Sequence, residues 1–412
     1  VIAVIDGEHH PGVVRDALDR LAREHDVVGV LFAGGEEKVA AHVLEDSVRH
    51  YGRPVIVGTD LPEVDADAVF DLSGDPVLTP ERRLALAAAT LDRGLEYVTP
   101  GLRFVPPPLE EIEADVPILS VIGTGKRTGK TAVAGHLAVL LRQRGAEPVI
   151  VSMGRGGPPE PQLVAAGERL DATRLLEIAR SGRHAASDYL EDAALTGVAT
   201  VGTRRCGEGP AGEVFESNVA EGVRLALTLD PAAVVLEGSG SSIPPVVADR
   251  TVCVTRGEAD ALGALRLNRS QLVIALGEPD ARVPHSDVIR CELVPEPAAP
   301  VAPGARAAVF TTATPAAVER IWTALERQGL EVTLVSTALA RRAELERDLI
   351  QATRERCDVF LTEIKAAAIE LVAERAEREG IALAFLRSRL TALPDEPSVD
   401  DALWRLFEEA TR

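Results

Sequence analysis

Residues 117–131 constrain this chain more than any other stretch. Pro117 and the apolar run 118–122 read as a short buried parallel strand. The loop Gly123-Thr124-Gly125-Lys126-Arg127-Thr128-Gly129-Lys130-Thr131 follows, and residues 132–144 are apolar and rich in helix formers. Strand, glycine-rich loop and helix in that order form the context a P-loop requires. Small loop residues let successive backbone N–H groups turn inward on a phosphate, and the helix N-terminus adds partial positive charge. Lys130 is then placed to reach the β- and γ-phosphates, and the Thr131 hydroxyl to ligate Mg²⁺. The strict spacing wants glycine five residues before Gly129; Thr124 stands there, with Gly123 one position further out. Thr124, Gly125, Lys126, Arg127, Thr128, Gly129, Lys130 and Thr131 are therefore the expected nucleotide-binding residues, with ATP and Mg²⁺ as ligands.

A chain of 412 residues exceeds one typical core and suggests two or three domains. No run approaches the roughly 20 apolar residues that span a bilayer, so no membrane role is expected. The formal charge of −20 argues against a nucleic-acid partner, and any anionic substrate must meet local clusters of positive charge. Cys206, Cys253, Cys291 and Cys357 are widely spaced with no C-x-x-C pair, which suits a reducing, cytoplasmic setting rather than a zinc site. No secretory signal is evident in the first residues. A homodimer is the expected assembly. Of the 44 basic residues only Lys38, Lys126, Lys130 and Lys365 are lysines. Where arginine otherwise supplies charge, a lysine points to a specific role, and two of these lie in the P-loop.

The expected architecture is α/β: a parallel-sheet P-loop domain, 114–294, flanked by an N-terminal Rossmann-like domain, 1–108, and a smaller C-terminal α/β segment, 306–412. In the first part, strands at 1–5, 27–33, 55–57 and 69–72 alternate with helices at 11–23, 36–50 and 81–93, a parallel-sheet pattern. Ligands of such sheets sit beyond the carboxyl ends of the strands. Three polar loops lie there: 6–10, 34–38 and 71–76. They are either a binding site or turns that collect Asp, Gly and Ser for conformational reasons. The proline- and glutamate-rich 106–113 and the Pro/Ala-rich 295–305 read as linkers.

After the phosphate helix, a strand at 149–153 runs into Gly154-Arg155-Gly156-Gly157, where an arginine among glycines reads as an anion contact. Helices are expected at 170–180 and 189–195. A strand at 200–201 leads to a second glycine-rich turn carrying Arg204 and Arg205. The strand 232–236 ends in Glu237, the expected Mg²⁺-side carboxylate. Further strands are read at 252–255, 272–276, 307–311, 332–335 and 359–361. Lys365 follows the last of these, before a helix at 366–378. Lys126, Arg127, Lys130 and Glu237 are the catalytic candidates, and Thr131 and Glu237 the metal ligands. Arg155, Arg204, Arg205 and Lys365 are the substrate-side cations.

A nucleotide site with two arginine loops calls for a second polyanion beside the γ-phosphate, because phosphoryl transfer is mostly positioning and charge neutralisation. The loop opening with Gly-Thr, and the strand end Val234-Val235-Leu236-Glu237-Gly238, resemble the dethiobiotin-synthetase branch of P-loop enzymes. The MinD-like switch ATPases carry a lysine five residues before the P-loop lysine; Gly125 stands there, with Lys126 one residue off. Most of the chain resembles the cyclic 2,3-diphosphoglycerate synthetases through Ile5-Asp6-Gly7-Glu8-His9, Gly34-Gly35-Glu36-Glu37-Lys38, Asp71-Leu72-Ser73, the P-loop, Met153-Gly154-Arg155-Gly156-Gly157, Gly202-Thr203-Arg204-Arg205-Cys206-Gly207 and Glu363-Ile364-Lys365-Ala366-Ala367-Ala368. That resemblance implies an ATP-dependent cyclising ligase. Its substrate is 2,3-bisphosphoglycerate and its products are the cyclic diphosphate, ADP and phosphate. Two other readings remain open at this point: a related P-loop ligase or kinase for another small acid, and a nucleotide-driven switch ATPase with a protein partner.

Overall fold

Strands that are apolar along their whole length need cover on both faces, and that is the signature of the centre of a parallel sheet. The computed structural model, which describes residues 1–257, 259–277 and 282–412, has such strands at β7 (Ile118–Gly123), β8 (Pro148–Gly154) and β12 (Ala233–Glu237), each buried at every position. The chain forms two compact units. The first comprises 1–108 with 210–213 and 259–269, and the second comprises 109–209, 214–258 and 270–412.

The first unit is built on β1 (Ile2–Ile5), β2 (Gly29–Phe32), β3 (Ile56–Val57), β4 (Ala68–Asp71), β5 (Glu96–Thr99) and β6 (Leu102–Phe104), in the order β3-β2-β1-β4-β5-β6. All neighbours are parallel except β5 and β6. One face of the sheet packs around Leu31, Val69, Leu91 and Tyr97, the other around Ile5, Leu18, Phe32 and Tyr51. The helix expected over 36–50 is broken into a single turn, Glu36–Lys38, and two short helices, Ala41–Glu45 and Ser47–Tyr51. Asp46, at the second break, leaves the helical region and its carboxylate accepts from Arg49 N, an N-cap that ends one helix and starts the next.

In the second unit the remaining strands are β9 (Gln162–Val164), β10 (Ala199–Cys206), β11 (Glu216–Ser217), β13 (Arg250–Thr255), β14 (Leu272–Leu276), β15 (Val288–Pro297), β16 (Arg306–Phe310), β17 (Glu331–Ser336), β18 (Val359–Thr362) and β19 (Ala382–Ala392). With β7, β8 and β12 they make one sheet, ordered β11-β10-β8-β12-β7-β13-β14-β15-β19-β18-β16-β17, with β9 beside β10. The run from β10 to β14 is parallel throughout. The loops that follow β7, β8, β10 and β12 therefore leave the same edge of the sheet.

Two expectations about the second half change. The Pro/Ala-rich composition of 295–305 suggests a linker, but β15 continues to Pro297 and pairs antiparallel with β19 from Cys291 to Pro297. Its parallel pairing with β14 stops at Cys291. Pro295 and Pro297 thus fall where the strand bonds on one side, a place that tolerates a residue without an N–H. Through this strand, segments 114–294 and 306–412 share one sheet and one compact unit. The helix expected over 366–378 begins with Ala366 in the left-handed region (φ 51°), continues as a π-helical segment, Ala368–Ala373, and becomes α-helical only at Glu374–Glu379.

The C-terminal helix, Val399–Ala410, lies against the phosphate helix, Lys130–Gln143. Val399, Leu403, Leu406 and Phe407 join Val133, Leu137 and Leu141 in one core. His136 Nε2 meets Asp400 Oδ1 at 2.7 Å, and Arg144 bonds Asp401 and lies over the Trp404 ring, 5.1 Å from its centroid. Leu403 is fully buried there. Leu403→Ala should lower the unfolding free energy by about 2–5 kcal/mol, read as a fall in the urea midpoint at unchanged slope.

Candidate nucleotide and anion site

The site begins with the backbone of the phosphate loop. Gly129 (φ 108°) precedes the phosphate helix, and a Cβ there would come within 2.6 Å of Leu276 Cδ1. Arg127 also takes a left-handed conformation (φ 62°), and its carbonyl accepts from Arg256 Nε at 2.8 Å. Thr124 N and Oγ1 anchor the start of the loop on Val254 O (3.1 Å) and Thr255 Oγ1 (3.1 Å). The Lys130 side chain is buried and curls across the loop, donating to Gly125 O at 2.7 Å and Thr128 Oγ1 at 3.3 Å. Burial pulls its ammonium down to about 8, against the opposing pull of Glu237. Lys126 and Arg127 stand exposed on the loop.

Thr131, the second residue of the phosphate helix, donates its hydroxyl to Glu237 Oε1 at 2.5 Å, and Ser152 Oγ on β8 donates to Glu237 Oε2 at 3.0 Å. The strand-end carboxylate expected from the sequence is thus brought to the P-loop threonine, and it is 4% exposed. Beside it lies a group that reading along the chain missed. The helix Asp188–Thr196 carries Asp188, Glu191 and Asp192 on one face. Asp192 is 1% exposed, and neither of its carboxylate oxygens has a hydrogen-bond partner among the described residues. Burial first, and then the neighbouring Glu237 carboxylate, push Asp192 well above the usual carboxylate range. Burial followed by Glu237 also raises Asp188 to about 6, with Lys365 and Arg155 opposing. A hydroxyl and buried carboxylates with unspent lone pairs are the oxygen donor set that a hard divalent cation selects. The residues present fit Mg²⁺.

Lys365 reaches the same region from the end of β18, its Nζ 3.1 Å from Glu191 Oε1. Glu191 is raised to about 7 by burial, against Lys365; the charge of Glu191 in turn raises Lys365 above the ordinary lysine range. The packing that puts them together is apolar. Leu190 and Ala193 of the acidic helix share a core with Ile364, Ala367, Ala368 and Val372.

The two arginines of the sequence Arg204-Arg205 part company. β10 is longer than expected and pairs with β8 as far as Arg204↔Gly154, so successive side chains leave opposite faces. Arg205 is buried and donates to Glu208 Oε2 (2.5 Å), Gly207 O (3.1 Å) and Ser239 O (2.9 Å). Arg155, at the end of β8, meets the same Glu208 oxygen at 3.2 Å. Arg204 turns the other way, to Glu216 at 3.3 Å. Arg155 and Arg205 therefore form one cluster beside the turn after Glu237, and Arg204 is outside it.

Three family models cover most of the chain: the N-terminal domain of cyclic 2,3-diphosphoglycerate synthetase over residues 1–105, its P-loop domain over 118–278 and its C-terminal domain over 298–389. A curated cyclic 2,3-diphosphoglycerate synthetase from Rubrobacter xylanophilus is 41% identical across 99% of this chain and 97% of its own length. Those from Methanothermobacter thermautotrophicus and Pyrococcus abyssi are 34% and 37% identical, covering 100% and 93% of this chain and 96% and 93% of their own. This chain belongs to the cyclic 2,3-diphosphoglycerate synthetase family.

The synthetase family's N-terminal model falls on the first unit, whose three polar loops are tied to one another. The Gly7 amide donates to Gly34 O at 3.0 Å, the Gly74 amide to Asp6, and Lys38 to Glu8. Asp6 is fully buried and also accepts from His9 Nδ1 at 2.7 Å. Asp71, equally buried, accepts from Ser73 and from Tyr97 OH at 2.6 Å and pairs with Arg83 at 3.1 Å. These carboxylates are spent on holding the loops.

The lowered pKa of Lys130 gives a stability test. A buried ammonium is charged in both folded and unfolded chains below about pH 8, so its desolvation penalty is fully present there. The penalty fades as pH rises from that value toward the ordinary lysine pKa of about 10.4. Lys130→Met should therefore raise the melting temperature at pH 7, with the gain shrinking above pH 8, while ATP affinity measured by calorimetry falls by roughly tenfold or more for a lost charged hydrogen bond of about 1.5–3 kcal/mol.

Proposed function

We propose that this chain uses ATP to join the two phosphates of 2,3-bisphosphoglycerate into a cyclic diphosphate, releasing ADP and inorganic phosphate. The observation that carries the reading is the pairing, on one sheet edge, of a phosphate loop after β7 with an arginine pair, Arg155 and Arg205, after β8 and within the end of β10. Membership of the synthetase family, over nearly the whole chain, supports the identity of the substrate. Two polyanions must meet, and each needs its own cations because their mutual repulsion opposes both transfer and ring closure.

In the first step an oxygen of one substrate phosphate attacks the γ-phosphorus of ATP. The γ–β bridging bond breaks, and ADP leaves with its electron pair. The substrate then carries a diphosphate on one carbon and a phosphate on the other. In the second step an oxygen of that remaining phosphate attacks the inner phosphorus of the diphosphate, and inorganic phosphate departs as the ring closes. Backbone amides of the loop and Lys130 hold the nucleotide phosphates, and Lys126 and Arg127 neutralise charge as it develops on the transferred group. Arg155, Arg205 and Lys365 hold the substrate. Thr131 and Glu237, joined by Asp192, are the residues that would hold Mg²⁺. When bound, the ion neutralises charge on the β- and γ-phosphate oxygens. The enzyme is further proposed to act as a cytoplasmic homodimer, a setting suggested by widely spaced cysteines with no C-x-x-C pair. A monomeric mass by light scattering would exclude the dimer.

Protein supplied with Mg²⁺, ATP and 2,3-bisphosphoglycerate should form a species without adenine that shows two mutually coupled anhydride signals by phosphorus NMR. A kinase would leave an acyclic product, and a switch ATPase would give ADP and phosphate at a rate indifferent to the acid. Either outcome overturns the synthetase reading. The separation of the arginines makes a second test. Arg155→Ala and Arg205→Lys should raise the substrate KM by roughly tenfold to a hundredfold, a lost charge-assisted hydrogen bond being about 1.5–3 kcal/mol. Arg204→Ala, on the other face of β10, should change it by less than about threefold, as expected of an exposed ion pair.

A further inference from the structure

The arginine pair is not open to solvent on its inner side: a carboxylate of the chain itself fills it. Glu208 Oε2 accepts from Arg205 Nη2 (2.5 Å) and Arg155 Nη2 (3.2 Å), while Oε1 accepts from the Ser241 amide (2.8 Å) and the Ser241 hydroxyl. Donors from three separate segments converge on one anion. A cradle of two guanidinium groups, a backbone N–H and a hydroxyl is the set of donors that recognises a phosphoryl oxygen face as well as a carboxylate. Gly240 completes it. Its φ is +65°, and a Cβ would lie 2.6 Å from Arg155 Nη2, 2.9 Å from Arg205 Nη2 and 2.8 Å from Glu208 Oε2, so the backbone approaches the anion as closely as a glycine allows.

We propose that Glu208 stands in the subsite of one phosphoryl group of the anionic substrate, and that substrate binds there by displacing the Glu208 carboxylate. This rests on the reading of Arg155 and Arg205 as substrate contacts. Arg205 is the fixed part of the receptor, buried and also bonded to the Gly207 and Ser239 carbonyls, while Arg155 is exposed and joins it at Glu208. The occupant is not fixed in the same way. Glu208 lies in an exposed turn between Gly207, at φ +76°, and Gly209, and glycines on both sides let the turn reorient. Burial would raise the Glu208 carboxyl, but the Ser241 and Arg205 hydrogen bonds outweigh it and hold the group near 2, so it is an anion throughout the physiological range. A singly charged occupant yields to a phosphoryl group because the same two arginines gain a second negative charge. The cradle also follows Glu237 directly in the chain, through Gly238 and Ser239, which sets it beside the metal-side carboxylate and the phosphate loop.

The alternative is that Glu208 permanently positions the arginines, and binding distinguishes the two. Calorimetry at saturating ADP and Mg²⁺ would follow 2,3-bisphosphoglycerate and, separately, inorganic pyrophosphate as a probe of the cradle alone. If Glu208 fills the subsite for about nine-tenths of the time, Glu208→Ala should tighten both ligands by about tenfold, the inverse of the competent fraction. Glu208→Gln, which keeps the shape and removes the charge, should tighten them in the same direction. The gain should vanish when Arg155→Ala is added. Unchanged or weaker binding of both ligands in Glu208→Ala and Glu208→Gln overturns the displacement and makes Glu208 a positioning residue. Tighter pyrophosphate with no binding of 2,3-bisphosphoglycerate to any form sustains the displacement and removes the substrate reading instead.

Discussion

The buried carboxylate of Glu237 accepts one hydrogen bond from Thr131 at the start of the phosphate helix and another from Ser152 on β8, while its own strand, β12, lies between β7 and β8. A single anion therefore ties three adjacent strand ends together, with almost no solvent to dilute its field. Buried polar networks are costly when incomplete and specific when complete. Here the network fixes the distance between the loop that takes nucleotide phosphates and the strand ends that carry the arginines. Asp192, buried beside it, gives the region more carboxyl oxygens than the surrounding protein satisfies, and burial together with the Glu237 charge opposes its ionisation. That imbalance is the physical argument for a divalent cation.

The overall charge of −20 makes the arrangement of cations decisive. Lys130 is held inside the loop by the loop's own oxygens, Lys365 by Glu191, and Arg155 and Arg205 by Glu208. Lys126 and Arg127 stand exposed, but each of these four cations is already engaged by an anion or a carbonyl of the chain. If the proposed site holds, binding a phosphate at these four cations is an exchange of partners rather than the simple filling of a positive pocket, and the net gain is the difference between two sets of charged hydrogen bonds.

The π-helical segment Ala368–Ala373 and the left-handed Ala366 lie immediately after Lys365. Such irregularities cost backbone energy and persist where packing over-determines them. The surrounding core, from Ile364 to Val372 against Leu190 and Ala193, supplies that packing. The same core brings a lysine from the C-terminal segment to a helix of the P-loop region, so a residue far along the chain meets Glu191 there.

The phosphate loop and its helix were legible in the sequence because everything that shapes them lies within some fifteen residues: glycines for the turn, Lys130 and Thr131 at fixed offsets, and a strand apolar on both faces. Glu237 was legible for a similar reason, as the acid that ends an apolar run. What the sequence did not carry was the order of the strands and the face each side chain takes. Arg204 and Arg205 looked equivalent in a glycine-rich turn; pairing of β10 with β8 made that turn a strand and sent them to opposite faces. Asp188, Glu191 and Asp192, at helical spacing between apolar neighbours, could have hinted at a shared face, but a run of acids on a helix reads as solvated until something covers it. Prolines 295 and 297 read as a linker until the one-sided pairing of β15 showed that their missing N–H groups cost nothing there. Local hydrogen bonds and offsets are written in consecutive residues. Register and coverage are set by partners distant in the chain, such as Gly154 for Arg204 and Ala392 for Cys291, and these decided which of the candidate charges meet.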